Sequence, residues 1–226
     1  MLKISAILLG AGESKRMGKN KLFLPWGKRT ILEHCLQTLL RSMVKEVVLV
    51  FNDRMGETAH YLREKGVKVV VNPDYKEGMS GSIRRGIRAL DPKSDGILIA
   101  LGDQPFIKTR TINALIGAFG RAEGKIIVPS FRGKRRHPVI FHQKYGEELL
   151  RLRGDAGGKT ILEKHPEDVR IIPVKSEGVI RDIDTWTDYL SLFPSTGACL
   201  PVGRGGDEGE GELNSFCPPL SEPEAL

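Results

Sequence analysis

Short apolar runs alternate with longer amphipathic segments along the first 130 residues of the chain. The runs, which are typical of strands buried on both faces of a sheet, occupy residues 4–9, 46–51, 67–71, 97–101 and 125–129. Between them lie segments with apolar residues at helical spacing, at residues 30–42, 55–65, 80–90 and 110–122. Strands separated by helices imply crossover connections, so the pattern predicts an α/β fold with a mainly parallel central sheet and helices on both faces.

The loop after the first predicted strand is rich in glycine and in positive charge. Gly10 and Gly12 end the apolar run, and four cations follow: Lys15, Arg16, Lys19 and Lys21. Glycines let the backbone approach a ligand closely, and successive N–H groups together with cations bind phosphate. We therefore expect this loop to hold a polyphosphate, although a turn that merely joins a strand to a helix would have the same glycines. Lys15 stands where a dinucleotide fingerprint needs glycine, and Asn20 where a Walker loop needs a hydroxyl, so neither of those loops is predicted.

Carboxylates follow two apolar segments. Asp103 lies in the loop after residues 97–101, and Asp182 and Asp184 follow residues 178–180. Ligands of parallel sheets bind beyond the carboxyl ends of the strands, where Asp103 and the glycine-rich loop would meet. Near bound phosphates such a carboxylate ordinarily binds Mg²⁺, and either Asp182 or Asp184 would complete the site. The alternative is that these residues only cap turns, and Thr185 or Asp184 is the candidate cap of a helix at residues 185–193.

Two other loops fall at the same edge of the predicted sheet. Residues 72–82 end in small and hydroxyl residues, which suit a base or ribose close to the backbone, but a loop with a serine helix cap explains them equally well. Residues 131–138 carry four cations and a histidine: Arg132, Lys134, Arg135, Arg136 and His137. This second basic loop predicts a second anionic substrate, whereas a solvated turn is the usual explanation of such a charge cluster.

The charge distribution narrows the choice of partner. The 226-residue chain has a formal net charge of +7, yet residues 194–226 hold six acidic residues and one arginine, so the positive charge lies in residues 1–193. The cations are scattered except at the two basic loops, and aromatic residues are not interleaved with them as in proteins that bind single-stranded nucleic acid. We therefore expect a phosphorylated small molecule, and not nucleic acid, as the partner.

Composition also predicts the domain boundary and the compartment. Residues 1–193 can form one large core, whereas residues 194–226 are rich in Pro, Gly, Ser and Glu and predict a disordered tail. The chain has no apolar run of about eighteen residues and no signal-peptide cleavage region, so we expect no membrane span and a cytoplasmic protein. Cys35, Cys199 and Cys217 have no metal-ligand spacing and predict neither a disulfide framework nor a zinc site.

These segments resemble the molybdenum cofactor nucleotidyltransferases, and most of all their cytidylyltransferase branch. The motifs occur in the family's order within residues 1–193, at residues 8–18 with Lys21, 72–73, 78–82, 102–105, 136–138, 154–155 and 182–185. The resemblance implies a three-layer Rossmann-like nucleotidyltransferase fold. It also implies transfer of CMP from CTP to the phosphate of molybdopterin, the molybdenum cofactor, with release of pyrophosphate, with Mg²⁺ as cofactor and with a molybdoenzyme as acceptor of the product.

The same resemblance implies roles for individual residues. The nucleotide would be bound by Leu9, Gly10, Ala11, Gly12, Arg16, Lys21, Gly78, Ser82 and Asp103. The resemblance makes Lys21, Arg16 and Asp103 catalytic, Asp103 and Asp184 ligands of Mg²⁺, and Arg136 and His137 the residues that face the pterin phosphate. A phosphate nucleophile is already ionised at neutral pH, so no general base is required and His137 is expected to bind the acceptor.

Several positions depart from the family's pattern. Gly10 stands where the cytidylyl branch has alanine, and Arg136 where the family has glycine. Ala11 between the two glycines and Asn20 before the lysine are unlike the guanylyl branch, which lowers the expectation of GTP. Two other hypotheses stay open: an enzyme of the same fold that uses GTP or another phosphorylated acceptor, and a non-catalytic chaperone that binds nucleotide or cofactor.

Overall fold

One large sheet organises the computed structural model, which describes residues 2–12, 15–52, 56–155 and 157–193. The strands are β1 (Ile4–Leu9), β2 (Pro25–Trp26), β3 (Arg29–Thr30), β4 (Glu46–Phe51), β5 (Lys68–Val71), β6 (Gly96–Leu101), β7 (Ile126–Phe131), β8 (Lys134–Arg135), β9 (Val139–His142) and β10 (Val169–Pro173). The main sheet has the order β10-β7-β9-β6-β1-β4-β5 with β8 paired to β7, and β2 and β3 form a separate hairpin. The tail predicted at residues 194–226 lies outside the described residues.

The five strands predicted from the apolar runs are confirmed, and the sheet contains further strands that the runs did not predict. Strands β1, β4, β5 and β6 pair in parallel, as do β7 and β10. Strand β9 runs antiparallel between β6 and β7. Neither β9 nor β10 follows a long amphipathic segment, so the alternation of strand and helix did not reveal them. The predicted mainly parallel α/β sheet is confirmed, with one antiparallel strand inside it.

Helices cover both faces of this sheet. They are α1 (Ile31–Leu40), α2 (Gly56–Glu64), α3 (Met79–Ala89), α4 (Thr109–Gly120), α5 (Gly146–Leu150), α6 (Lys159–Lys164) and α7 (Trp186–Leu192). Buried side chains of α1, α2, α4 and α7 share one apolar core with Ile4, Ala6 and Leu8 of β1, and those of α3, α5 and α6 share a second core with Ile7 and Leu9. The alternation along β1 thus supplies apolar side chains to both faces, which produces three layers. In the described part of the chain, no helix is long and apolar enough to cross a bilayer.

Capping boxes begin α1 and α7. Thr30 Oγ1 accepts a hydrogen bond from the backbone N–H of Glu33 (3.2 Å), whose carboxylate accepts one in return from the Thr30 N–H (2.8 Å). Thr185 and Asp188 form the same reciprocal pair. Thr185 is therefore the cap of α7, and Asp184, the other candidate, keeps its carboxylate for other contacts.

The parallel strands end level with one another at the carboxyl edge of the sheet. Leu9, the last residue of β1, lies opposite Leu101, the last residue of β6. The pairing continues one residue further, because the Gly102 N–H donates to the Leu9 C=O (2.9 Å). On the other side, the Gly10 N–H donates to the Val50 C=O of β4 (2.8 Å). This register brings the glycine-rich loop and the loop after β6 side by side.

Aromatic and hydrogen-bonding contacts fasten the glycine-rich loop to the core through α7. Trp26 of β2 packs against Tyr189 of α7, with ring centroids 6.1 Å apart. The Tyr189 hydroxyl donates to the Pro25 C=O (2.8 Å), and the indole N–H of Trp186 donates to the Met17 C=O (3.1 Å). Because Met17 belongs to the basic part of the loop, α7 holds that part in place from the side.

Candidate active site

A cavity of about 340 Å³ lies at the carboxyl edge of the sheet, between the glycine-rich loop and the start of α3. Its lining contains eight residues that the resemblance assigned to the nucleotide: Leu9, Gly10, Ala11, Gly12, Lys21, Gly78, Ser82 and Asp103. Residues without an assigned role complete the lining: Leu22, Tyr75, Lys76, Met79, Leu101 and Asp155. The described lining does not include Arg16, Asp184, Arg136 or His137.

Two backbone amides of the glycine-rich loop remain for a ligand. The Gly10 N–H is already bonded to Val50, and a Cβ at Gly10 would lie 2.9 Å from the Phe51 ring. Gly10 is therefore needed because the loop packs closely on the core, and its own N–H is not the phosphate donor that we expected. The N–H groups of Ala11 and Gly12 donate to no acceptor within the described residues. These two amides are the ones placed to receive phosphate oxygens.

Gly78 forms the opposite wall of the cavity. Its φ of +101° lies in the left-handed region, and a Cβ there would be 2.6 Å from the Gly154 carbonyl carbon and 2.5 Å from Asp155 Oδ1. The Ser80 N–H donates to the Gly154 C=O (3.1 Å). The start of α3 and residues 154–155 are thus packed backbone against backbone, and only glycine fits between them.

The Lys21 ammonium lies between two carboxylates. Its Nζ is 2.8 Å from Asp103 Oδ2 and 2.8 Å from Asp184 Oδ1. The Ile183 N–H donates to the Asp103 C=O (3.1 Å), which holds residues 182–184 against the loop after β6. Lys21 itself is mostly buried, at 12% exposure, whereas Asp184 is 46% exposed. One charged cluster therefore joins the glycine-rich loop, the loop after β6 and the segment before α7.

Burial and neighbouring charge set the protonation of this cluster. Burial lowers the pKa of Lys21, but the carboxylates of Asp103 and Asp184 outweigh this effect, and the pKa lies above its ordinary value. Burial raises the pKa of Asp103 above its ordinary value, although the Lys21 charge opposes the rise. Lys21 is therefore a cation at physiological pH, and the charge of Asp103 is only partly compensated by the protein.

Asp182 and Asp184 face different partners. Asp182 Oδ1 accepts a hydrogen bond from Gln104 Nε2 (2.6 Å), and Gln104 is buried. Asp184 contacts Lys21 and, at 3.5 Å from its Oδ2, the exposed guanidinium of Arg16. The structure thus brings Asp184 to the cluster, whereas Asp182 contacts Gln104.

The cluster fits a divalent cation that binds together with phosphate. Asp103 Oδ1 is buried and has no hydrogen-bond partner among the described residues. Mg²⁺ in nucleotide sites is bound through one or two carboxylates, and the substrate phosphates supply further oxygen ligands. Within residues 2–12, 15–52, 56–155 and 157–193, no group of three or more His, Cys, Asp or Glu side chains is arranged to hold a metal by itself. Asp103 and Asp184 therefore suit a metal that arrives with a nucleotide.

The second basic loop approaches this cluster through His137. Burial lowers the pKa of His137 to about 4, and the negative charge of Asp103 opposes the shift. His137 is therefore neutral at pH 7 and lies close enough to Asp103 to experience its field. Arg136 is exposed. The two residues expected to bind an acceptor thus lie at different depths: His137 lies deeper, and the cation Arg136 lies at the surface.

No individual role was predicted for part of the lining. Tyr75 and Lys76 lie in a 3-10 turn after β5, within the loop at residues 72–82, and Asp155 follows the glycine that packs on Gly78. The sequence pointed to this loop by its position and to residues 154–155 only through the resemblance. It did not place Asp155 in the cavity, because the contact of residues 154–155 with the start of α3 depends on the fold.

Comparison with known proteins identifies relatives over most of the chain. The model of the MobA-like NTP transferase domain matches residues 6–169. The purine catabolism protein PucB of Bacillus subtilis is 30% identical over 81% of this chain and 92% of its own length. Nicotine blue oxidoreductase of Paenarthrobacter nicotinovorans is 29% identical, and the molybdenum cofactor cytidylyltransferase of Escherichia coli is 25% identical, each over 84% of this chain and 96% of its own length.

Solved structures share the fold. The Rv0371c protein of Mycobacterium tuberculosis aligns with a TM-score of 0.74 at 29% identity, over 85% of this chain and 97% of that chain. Its complex with manganese aligns with a TM-score of 0.69 at 27% identity, over 85% and 99%. A nucleotidyl transferase from Methanothermobacter aligns with a TM-score of 0.72 at 26% identity, over 84% and 96%. Since the family model covers residues 6–169 and thus most of the cavity, this chain is a nucleotidyltransferase of the MobA-like NTP transferase family.

Proposed function

We propose that the chain transfers CMP from CTP to the terminal phosphate of the molybdenum cofactor, in a reaction that requires Mg²⁺ and releases pyrophosphate. The observation that carries the proposal is the Lys21 ammonium held between Asp103 and Asp184, beside a cavity that presents the amides of Ala11 and Gly12. Nucleotidyl transfer needs positioning and charge neutralisation more than covalent chemistry, and this arrangement provides both.

In the proposed reaction, the chain's residues position two phosphates. An oxygen of the acceptor phosphate attacks the α-phosphorus of CTP, and the bond from that phosphorus to the pyrophosphate oxygen breaks. Ala11 and Gly12 donate to phosphate oxygens, and Lys21, which its raised pKa keeps protonated, neutralises charge on the departing pyrophosphate. Bound through Asp103 and Asp184, Mg²⁺ would supply Lewis-acid polarisation of the phosphate. Arg16 adds a second cation beside Asp184.

The choice of base rests on the resemblance to the cytidylyltransferase branch, on a polar side chain of the cavity and on one named relative. Ser82 Oγ accepts a hydrogen bond from Asn72 Nδ2 (2.9 Å), so its own hydroxyl hydrogen can be donated to an acceptor atom of the base or ribose. The Escherichia coli relative named as a molybdenum cofactor cytidylyltransferase supports the same base and the same acceptor.

The second basic loop is the proposed acceptor site. In this proposal, the neutral imidazole of His137 forms a hydrogen bond with the acceptor, and the exposed Arg136 supplies the charge that attracts the acceptor phosphate. A molybdoenzyme is the proposed recipient of the finished cofactor. Two relatives with other names, PucB and nicotine blue oxidoreductase, make the acceptor the part of the proposal that most needs a test.

Pyrophosphate release from CTP, GTP and ATP, each with and without molybdenum cofactor, tests the proposal. The assay uses the full chain with Mg²⁺, and EDTA provides the metal-free control. We expect release from CTP only, and only with both cofactor and metal present. Release from GTP would contradict the base, release from CTP at the same rate without the cofactor would contradict the acceptor, and nucleotide binding without release in any arm would favour a chaperone.

A further inference from the structure

A second cavity, of about 580 Å³, adjoins the first. Gly78 and Asp155 line the first cavity, whereas their neighbours Glu77 and Gly154 line the second, so the two share a wall. Four arginines surround the second cavity: Arg84, Arg88, Arg151 and Arg153. We call it the arginine cavity.

The fold makes these arginines converge. Ser80, Arg84 and Arg88 recur every four residues and so share one face of α3. Residues 150–154, which carry Arg151 and Arg153, form the facing wall. Arg84 Nη1 donates to Ser80 Oγ (3.1 Å) and to the Leu152 C=O, so this guanidinium ties the helix to the facing segment.

Most of the positive charge in the arginine cavity is not balanced by carboxylates of the described residues. Within the described residues, Arg84, Arg88 and Arg153 form no ion pair with a carboxylate, and Arg151 is 3.8 Å from the exposed Glu147. Glu77 is the one carboxylate of the described lining. Arg88, Arg151 and Arg153 are exposed, so water screens much of their mutual repulsion, and a bound anion would relieve the rest.

We propose that the arginine cavity binds a small phosphorylated molecule other than the nucleotide. Arginine forms paired, charge-assisted hydrogen bonds with phosphate oxygens, and four such groups face one concave space. A concave cavity of about 580 Å³ accommodates a small molecule, whereas a nucleic acid is bound along an extended basic surface. The proposed transfer of CMP uses none of these arginines, so this site is additional to it.

Inorganic phosphate is the probe, and its binding is measured by calorimetry at constant ionic strength. All variants are made in the full chain carrying Lys21→Met, which removes the main phosphate-binding cation of the first cavity. Arg88→Gln combined with Arg153→Gln should weaken phosphate binding at least about tenfold, because two charge-assisted contacts are lost. The matched control, Arg63→Gln combined with Arg110→Gln, removes two exposed charges elsewhere and should bind phosphate unchanged.

Two results would overturn the proposal directly. One is equal phosphate affinity in the two double variants, and the other is loss of all phosphate binding on Lys21→Met alone. The melting temperature without phosphate separates binding from a structural role. Removal of like charges at Arg88 and Arg153 should leave the melting temperature unchanged or raise it, and a fall would show that these arginines support the fold instead of a ligand.

Discussion

At Asp103, the stability of the fold and the chemistry of the site favour different side chains. The side chain is largely buried, its Oδ1 has no partner among the described residues, and burial raises its pKa although Lys21 lies 2.8 Å from Oδ2. A buried carboxylate with one unpaired oxygen destabilises the ligand-free protein. We therefore interpret Asp103 as a residue placed for a bound cation, and not for the stability of the fold.

The raised pKa of Asp103 predicts how stability depends on pH in the absence of divalent metal. The Asp103 carboxyl binds a proton more tightly in the folded chain than in the unfolded chain. The free energy of unfolding that protonated Asp103 contributes is therefore fully present below the unfolded pKa and is lost as the pH rises through the folded pKa. The amide side chain introduced by Asp103→Asn cannot titrate. The melting temperature of Asp103→Asn relative to wild type should therefore increase as the pH rises from about 3 to about 8, measured by calorimetry with EDTA.

Asp91→Asn is the control, because its melting temperature relative to wild type should change with pH in the opposite direction. The hydrogen bond from Lys3 holds the pKa of Asp91 below its ordinary value, so this carboxylate stabilises the fold once it is ionised. The melting temperature of Asp91→Asn relative to wild type should fall over the same pH range. A relative melting temperature of Asp103→Asn that also falls would contradict the account of Asp103.

The sequence identifies the chemically important residues better than it identifies their contacts. Asp103 and Asp184 could be found because each follows an apolar segment, and Lys21 because it lies in the basic loop after β1. The resemblance named Asp184, but the residues alone left Asp182 open, since the contact of Asp184 with Lys21 depends on the Ile183 N–H bonding to the Asp103 C=O across the fold. Likewise, the use of the Gly10 N–H in the sheet becomes visible only when the register of β1 and β4 is known.

Among the elements, α3 contributes to three separate parts of the structure. Its N-terminal residues line the first cavity, one face carries Arg84 and Arg88, and the remaining face packs on the sheet. The last contact is close at Gly86, where a Cβ would be 2.7 Å from Ile7 Cγ2 and 3.1 Å from Val50 Cγ2. The distance from α3 to β1 and β4 is therefore set by a glycine inside the helix.

Gly86→Ala should destabilise the protein by about 1–3 kcal/mol, because the added methyl group overpacks the core against Ile7. Gly117→Ala in α4 is the matched control. A Cβ there meets only the flexible Arg121 side chain, at 3.4 Å, so this variant should be more stable than wild type by roughly 0.5–1 kcal/mol. Urea unfolding measures both changes. Equal effects of the two substitutions would contradict the close packing of α3.

Long elements with strong periodicity were predicted, whereas several short ones were not. Runs of buried residues revealed β1, β4 and β6, and the amphipathic pattern revealed α1 and α4 to within about two residues at each end. Strands β9 and β10 have four and five residues, and α5 has five. At such lengths a period is hard to distinguish, although the valine run of β5, also of four residues, was found. The pairing of β9 and β10 depends on contacts with strands distant along the chain.

Over the whole molecule, the two edges of the sheet differ. At the amino edge, Ser5 donates to Glu46 (2.7 Å), and Glu46 also pairs with Lys68. At the carboxyl edge lie the three buried side-chain atoms without a partner in the described part of the chain: Asn72 Oδ1, Asp103 Oδ1 and Gln104 Oε1. Natural proteins leave few such atoms unpaired, and their restriction to loops after β5 and β6 indicates that a ligand completes this edge.

The proposed function makes the cluster of Lys21, Asp103 and Asp184 the catalytic centre. The most direct test is the kcat for pyrophosphate release with Mg²⁺ in Asp103→Asn and in Asp91→Asn, the same substitution at the opposite edge of the sheet. We predict a loss of at least about a hundredfold for Asp103→Asn, with a melting temperature no lower than that of the wild type, and a change within about twofold for Asp91→Asn. A folded Asp103→Asn variant that keeps the wild-type rate would contradict a catalytic role of the cluster.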